Sequence, residues 1–304
     1  MSRFLCLLPV LFFLAGCAGS VDSDATRSDF SIVRIYDPST QSLTEPVTKA
    51  YLYHPEWAPS GTQIVTDTAG ISTQLRYLSD IRLLDIETGA ITNLTNTSDQ
   101  DEHSPQVSPD GTKLVYVVDN QLAVMTIFTQ LVTSLNVSGF SPVWQPNGNG
   151  VVYEGNGIRY HDLATETALT TGYLPKWIDN TTLLIERISG NTGTIYSYDT
   201  VGMSASFVCD GRNADVASDG SFIVYEKDGD IYQTVLSGLV TTLLIENAES
   251  PQVSEDMATV AFVRDGIVYT SSLSNLSVRE AIGEGGRPRW SSTGKLLFQA
   301  LVYR

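Results

Sequence analysis

Apolar residues along this chain come in short runs separated by turn residues. They do not follow the three-to-four spacing of an amphipathic helix. Runs rich in β-branched and aromatic residues occupy positions 63–66, 113–118, 151–154, 182–186, 222–226, 259–263 and 295–302, and each predicts a strand. Before each run stands one motif: Pro (Ala214 in the fifth copy), any residue, Trp or Val, two residues, then a turn with Gly or Asp. It reads Pro55-Glu56-Trp57-Ala58-Pro59-Ser60-Gly61 in its first copy and Pro105-Gln106-Val107-Ser108-Pro109-Asp110-Gly111 in its second. Gly and Asp at the turn supply the unusual backbone angles that a tight hairpin needs. A second hairpin follows, as in residues 80–95, so each repeat encodes about four short strands.

The anchors are Trp57, Val107, Trp144, Trp177, Val216, Val253 and Trp290, and all four tryptophans of the chain fall at this position. A four-stranded unit repeating at 33 to 50 residues predicts an all-β fold, a seven-bladed β-propeller of antiparallel blades. A lone blade exposes two apolar faces, and radial stacking buries both, with the anchor Trp wedged between neighbours. The last repeat has too little chain after Trp290 for a full blade. Ser31-Ile32-Val33-Arg34-Ile35-Tyr36-Asp37 repeats the pattern of residues 80–85 at the other end. The N-terminal strands are therefore expected to complete the C-terminal blade, which removes an exposed sheet edge. The propeller domain spans 30–304.

Ser104-Pro-Gln-Val-Ser-Pro-Asp-Gly-Thr-Lys-Leu-Val-Tyr116 and Asp80-Ile-Arg-Leu-Leu-Asp-Ile-Glu-Thr-Gly89 resemble the TolB-type, or PD40, variant of the WD40-like repeat. The resemblance covers about residues 30–304 and implies a binding propeller. TolB proteins carry an α/β domain ahead of six blades, whereas only a short segment precedes the repeats here.

The leader adds a cellular address. Arg3, the apolar stretch 4–13 and Leu14 with the small Ala15 and Gly16 predict a signal peptide over 1–16. Leu14-Ala15-Gly16-Cys17 resembles a bacterial lipobox, which implies lipidation of Cys17 and a tether over 17–29. Ala18 after the cysteine implies the outer membrane, facing the periplasm. Once Cys6 is removed and Cys17 lipidated, Cys209 stands alone, so no intramolecular disulfide is expected and the fold must hold by packing. With 18 basic and 34 acidic residues the chain carries −16, which argues against nucleic acid as a partner. A closed ring of this kind is expected to be a monomer.

Candidate chemistry is sparse. No Gly-x-Ser-x-Gly elbow, His-Glu-x-x-His or Cys-x-x-Cys motif occurs. His54 and His103 precede anchors where the chain enters the innermost strand, beside the channel mouth. Glu56, Gln106, Lys176, Gln252 and Arg289 occupy matching positions one residue before anchors. These seven are the candidate binding residues. Two functions follow. The first is a non-enzymatic scaffold binding an envelope protein, peptide or glycan, with no cofactor. The second is a metal-dependent lyase or hydrolase on acidic saccharides, with a divalent cation on His54, His103 and Gln106 at the axis, as in PD40-type lyases acting on uronates. His161 is expected mid-blade, away from the axis. The acidic turns 99–102 and 228–230 are weaker cation candidates.

Overall fold

The computed structural model describes residues 30–46, 52–69, 78–190 and 192–302. The signal peptide, Cys17 and the tether lie outside the described residues. Every described element is a strand, and the strands form seven four-stranded antiparallel sheets. The first strands of the blades are Leu52–Trp57, Glu102–Val107, Phe140–Trp144, Tyr173–Trp177, Arg212–Val216, Glu249–Val253 and Gly286–Trp290. Each touches the first strand of the next blade, and the last touches the first, so they form a closed inner ring. All run in one sense about the axis, so residues equally far from their anchors lie at one level of the channel.

Closure follows the expected two-plus-two plan. Phe30–Asp37 pairs antiparallel with Leu296–Val302, from Phe30 opposite Val302 to Tyr36 opposite Leu296, and Ser42–Thr44 forms the outer edge of blade 7. Hydrophobic side chains fill the wedges between blades. Val33, Ile35 and Leu297 of blade 7 pack on Leu52, Ile64 and Leu84 of blade 1. Cys209 is buried in the wedge between blades 4 and 5.

Three of the four anchor tryptophans join blades by hydrogen bonds as well as by area, whereas the buried Trp177 indole N–H has no partner among the described residues. The indole N–H of Trp57 donates to the Arg289 carbonyl at 2.9 Å, that of Trp144 to Gln106 at 3.0 Å and that of Trp290 to Gln252 at 3.2 Å. Each acceptor is the residue before the preceding anchor. The prolines two residues before the anchors are buried, fixing φ where the strand turns into the wedge.

Three residues before the anchor, all seven inner strands adopt left-handed backbone: His54, Ser104, Ser141, Leu174, Asn213, Ser250 and Arg287 have φ between 44° and 54°. The pairing register shifts at each of these points, so each is a β-bulge. None is glycine, so each conformation carries a steric cost of about 1–2 kcal/mol that the surrounding contacts must offset.

Two residues earlier the repeat needs a small residue. Gly139, Gly172, Gly211, Ala248 and Gly285 stand there. A Cβ on Gly211 would lie 2.3 Å from the Tyr225 ring, with φ at 153°. Blades 1 and 2 break the rule with Leu52 and Glu102, and Glu102 is 1% exposed. Its Oε1 accepts from the Thr97 hydroxyl at 2.6 Å, and its Oε2 has no partner among the described residues. Burial, reinforced by the charges of Asp80 and Asp101 and opposed by Thr97, pushes its carboxyl up to about 7.

Opposite the mouth, the strand-connecting turns hold much of the negative charge. Asp110 accepts from the Ser108 hydroxyl at 2.6 Å and from the Thr112 amide at 3.0 Å, which holds its carboxyl at about 2. Asp37, Asp85, Asp162, Asp219 and Asp256 are likewise held low by turn hydroxyls and amides.

These shifts have opposite signs. The depressed aspartates stabilise the fold above the usual carboxylate range and lose that contribution on acidification. Glu102, with its folded value raised, favours the fold as pH falls from 7 toward its ordinary value of 4.5. Thermal unfolding followed across pH should show maximal stability near pH 5, declining toward pH 8 and more steeply below pH 4. Glu102→Gln should flatten the decline between pH 5 and 8 and raise stability at pH 8 by about 1–3 kcal/mol.

Candidate functional site

One residue before the anchors, the inner strands present Glu56, Gln106, Val143, Lys176, Asp215, Gln252 and Arg289, all half-buried at one level of the channel. The five candidates foreseen at this position do share a ring, which Val143 and Asp215 complete. The ring is largely occupied with joining blades. Arg289 Nε lies 3.1 Å from Glu56 Oε1 across the closing seam, and Lys176 Nζ lies 3.0 Å from Asp215 Oδ1 between blades 4 and 5. Gln106 Oε1 accepts from the Trp144 amide at 2.6 Å, and Asp215 Oδ2 from the Val253 amide at 2.9 Å. The Gln252 amide alone among the polar members has no side-chain partner among the described residues.

Nearer the mouth lies a second set that the sequence reading did not assign. In blades 3, 4 and 5 the second strand carries Glu154, Glu186 and Glu226, paired in register with residues four before the anchor. Each reaches the bulge of the next blade. Glu154 accepts from the Leu174 amide at 2.9 Å, Glu186 from Ala214 at 3.0 Å and Glu226 from Ser250 at 2.6 Å. These bonds satisfy the amides that the left-handed turn leaves outside the ladder. Burial raises the Glu154 and Glu186 carboxyls, while the amide hydrogen bonds partly restore their ionisation. A signal for them exists in the sequence: Val-Val-Tyr-Glu154, Leu-Leu-Ile-Glu186 and Ile-Val-Tyr-Glu226 each end a β run with a glutamate.

Blades 1 and 2 differ at this level. The second strand of blade 1 carries Asp67, 3% exposed, and blade 2 has Val117. Asp67 engages a side chain of its own blade: His54 Nδ1 sits 3.0 Å and 3.2 Å from its two oxygens. His54 occupies the bulge position, and its side chain is 47% exposed, so the Asp67 contact leaves Nε2 as the ring nitrogen available to a ligand. Burial alone would lower its basicity, but the hydrogen bond and charge of Asp67 outweigh this and raise it; Arg287 opposes and Glu56 assists. His103, half-buried with Nδ1 3.0 Å from the Ser104 hydroxyl, behaves in the opposite way. Burial pushes it down, Asp67 and Asp101 offset part of the shift, and the neighbouring His54 adds to it. The mouth thus places a readily protonated imidazole beside one held neutral, a pairing suited to hydrogen-bonding a polar ligand or to transferring protons.

The proposed metal donors are arranged differently from a ligand set. Gln106 commits its oxygen to blade 3 and His54 its Nδ1 to Asp67. No group of three or more His, Cys, Asp or Glu positioned to hold a metal ion occurs among the described residues. With the Gln106 oxygen held by the Trp144 amide, His54, His103 and Gln106 do not form a complete ligand set as they stand, although both imidazoles keep Nε2 open. His161 is buried in the third strand of blade 3, away from the inner ring.

No protein-family model and no curated relative matches the chain. Solved structures match its shape. An oligogalacturonate lyase in complex with manganese is 13% identical with a TM-score of 0.65, over 88% of this chain and 96% of that one. A TolB from Agrobacterium tumefaciens, itself described as putative, is 13% identical with a TM-score of 0.58, over 91% and 100%. The Cps50 (Swd1) propeller domain of Myceliophteria thermophila is 11% identical with a TM-score of 0.62, over 82% and 97%. At these identities the likeness is one of fold: the chain is a seven-bladed β-propeller and shares its overall fold with these structures.

Proposed function

We propose that the protein is a binding propeller, anchored through lipid on Cys17 to the outer membrane and facing the periplasm, which holds an envelope protein, peptide or glycan over its channel mouth. One observation carries this reading. At the level where blades 3 to 5 use carboxylates to join neighbours, blades 1 and 2 present His54, Asp67 and His103, with His54 half open to the channel. A rigid ring with a polar, partly open mouth suits a ligand that lies across it.

A second reading rests on the same residues. Asp67 orients His54, and the two imidazoles have opposed basicities, so the mouth is equipped for general acid–base work. The fold likeness to a lyase makes an acidic saccharide the substrate to try.

Three outcomes test these readings. A benzophenone amino acid in place of Tyr173, at the mouth, should give a discrete crosslinked adduct in intact cells. The same probe at Phe128, on the opposite face, should give none, and His54→Ala with His103→Ala should abolish the first adduct in a protein that still folds, with a lowered melting temperature because Asp67 loses its partner. Labelled fatty acid should enter the wild-type protein and not Cys17→Ser; equal labelling of both would remove the anchor. Incubation with uronate oligomers, followed by ultraviolet absorbance of unsaturated products, decides the second reading. Turnover that His54→Ala reduces by about 100-fold or more would establish it, and no turnover would eliminate it for that substrate class.

A further inference from the structure

Blade 1 faces blade 7 across the closing seam with Ile64, Thr66 and Thr68 of its second strand and Leu84, Arg82 and Asp80 of its third. Ile64 pairs with Leu84, Thr66 with Arg82 and Thr68 with Asp80, so all six share one face. The Ile64–Leu84 end packs on Val33, Ile35 and Leu297. The other end is polar and incompletely satisfied. Thr66 donates to the Tyr53 carbonyl at 2.7 Å, and Asp80 accepts from Asn93 Nδ2 at 2.8 Å and the Thr97 amide at 3.1 Å. Arg82 Nε and Thr68 Oγ1 are both sealed from solvent with no hydrogen-bond partner. Thr68 is 3% exposed.

Arg82 is exceptional among the arginines. Arg34 pairs with Glu45, Arg159 with Glu166 and Arg289 with Glu56. Arg187 donates to Thr170 and Thr171, and Arg264 to the carbonyls of Glu246 and Asn247. Among the described residues, Arg82 is the half-buried arginine left with neither a counter-charge nor an acceptor. A guanidinium Nε–H sealed from water without an acceptor is costly unless something answers it. Beside it, Thr68 adds an unused hydroxyl donor.

We propose that the polar half of the seam between blades 7 and 1 is an anion site, in which Arg82 and Thr68 hold one small oxyanion, a phosphate or a carboxylate. The planar guanidinium matches two oxygens of such a group, and the hydroxyl supplies a third donor. Asp80 on the same face is engaged by Asn93 and Thr97, and it restricts the site to a group small enough to sit at Arg82. The bound anion would brace the blade pair that closes the ring. This site is separate from the channel mouth, so it stands or falls independently of the ligand proposed there.

The test is thermal unfolding of the full-length protein titrated with inorganic phosphate, against sodium chloride at matched ionic strength. The wild type should show a saturable rise in melting temperature that chloride does not reproduce. Arg82→Gln should weaken the apparent phosphate affinity at least tenfold, and Thr68→Val should weaken it several-fold. Without phosphate, Arg82→Gln should unfold no earlier than the wild type, because it removes an unanswered charge. An identical phosphate response in wild type and Arg82→Gln, or none in the wild type, would overturn the site. If Arg82→Gln does not fold, the Arg82 Nε–H resonance of the wild type decides: it should move on phosphate addition, and an unmoved resonance rejects the proposal.

Discussion

A four-stranded sheet with apolar side chains on both faces has no stable boundary except another such sheet. That constraint governs the whole molecule: each blade exists because its neighbours cover it, and the seventh must meet the first. The seam is built from several kinds of contact. Phe30–Asp37 lies against Leu296–Val302 in continuous register, Val33, Ile35 and Leu297 fill the wedge against blade 1, and Arg289 meets Glu56 at the channel. The Trp57 indole, bonded to the Arg289 carbonyl, crosses the same seam. Most of these groups are far apart in sequence, so the ring acquires them only when both ends of the propeller are in place.

The channel shows how structural demands and ligand chemistry divide one set of positions. The seven left-handed bulges come with the way the inner strand is bent, and each leaves backbone amides to be answered from the neighbouring blade. Glu154, Glu186 and Glu226 meet that need in one sector. In blades 1 and 2 the corresponding residues are Asp67 and Val117, and Asp67 bonds to His54. A position that elsewhere joins blades is therefore free to orient a side chain toward the lumen. The two histidines stand one residue apart in repeat register on neighbouring blades, His54 at its bulge and His103 just before the next, and this brings them near each other at the mouth.

The ring and its closure were legible in the sequence because a large aromatic residue at a wedge position recurs with a turn of fixed chemistry behind it. Trp57, Trp144, Trp177 and Trp290 mark that wedge without reference to anything distant. The level of Glu56, Gln106, Lys176, Gln252 and Arg289 followed from the same frame. The bulges were not legible: His, Ser, Leu, Asn and Arg share no intrinsic preference for left-handed backbone, and the strand geometry imposes it on them. Asp67 looked like one polar residue in a β run, and its pairing with His54 depends on a register shift that the pattern does not encode. Gln106 matched a ligand position by alignment, yet its oxygen is held by an amide 38 residues on. Arg82 gave no signal at all, since what distinguishes it is the lack of a partner in three dimensions.

Hydrogen exchange of the native protein addresses the dependence of every blade on the closing seam most directly. If the two chain ends act as one cooperative sheet, the amides of Val33 to Ile35 and of Leu297 to Gln299 should exchange at the same slow rate. That rate should match the slowest amides of blades 3 and 4, with global unfolding as the only route. Exchange of Val33 to Ile35 orders of magnitude faster than Leu297 to Gln299 would mean that the N-terminal strand detaches while the ring persists, contrary to this account.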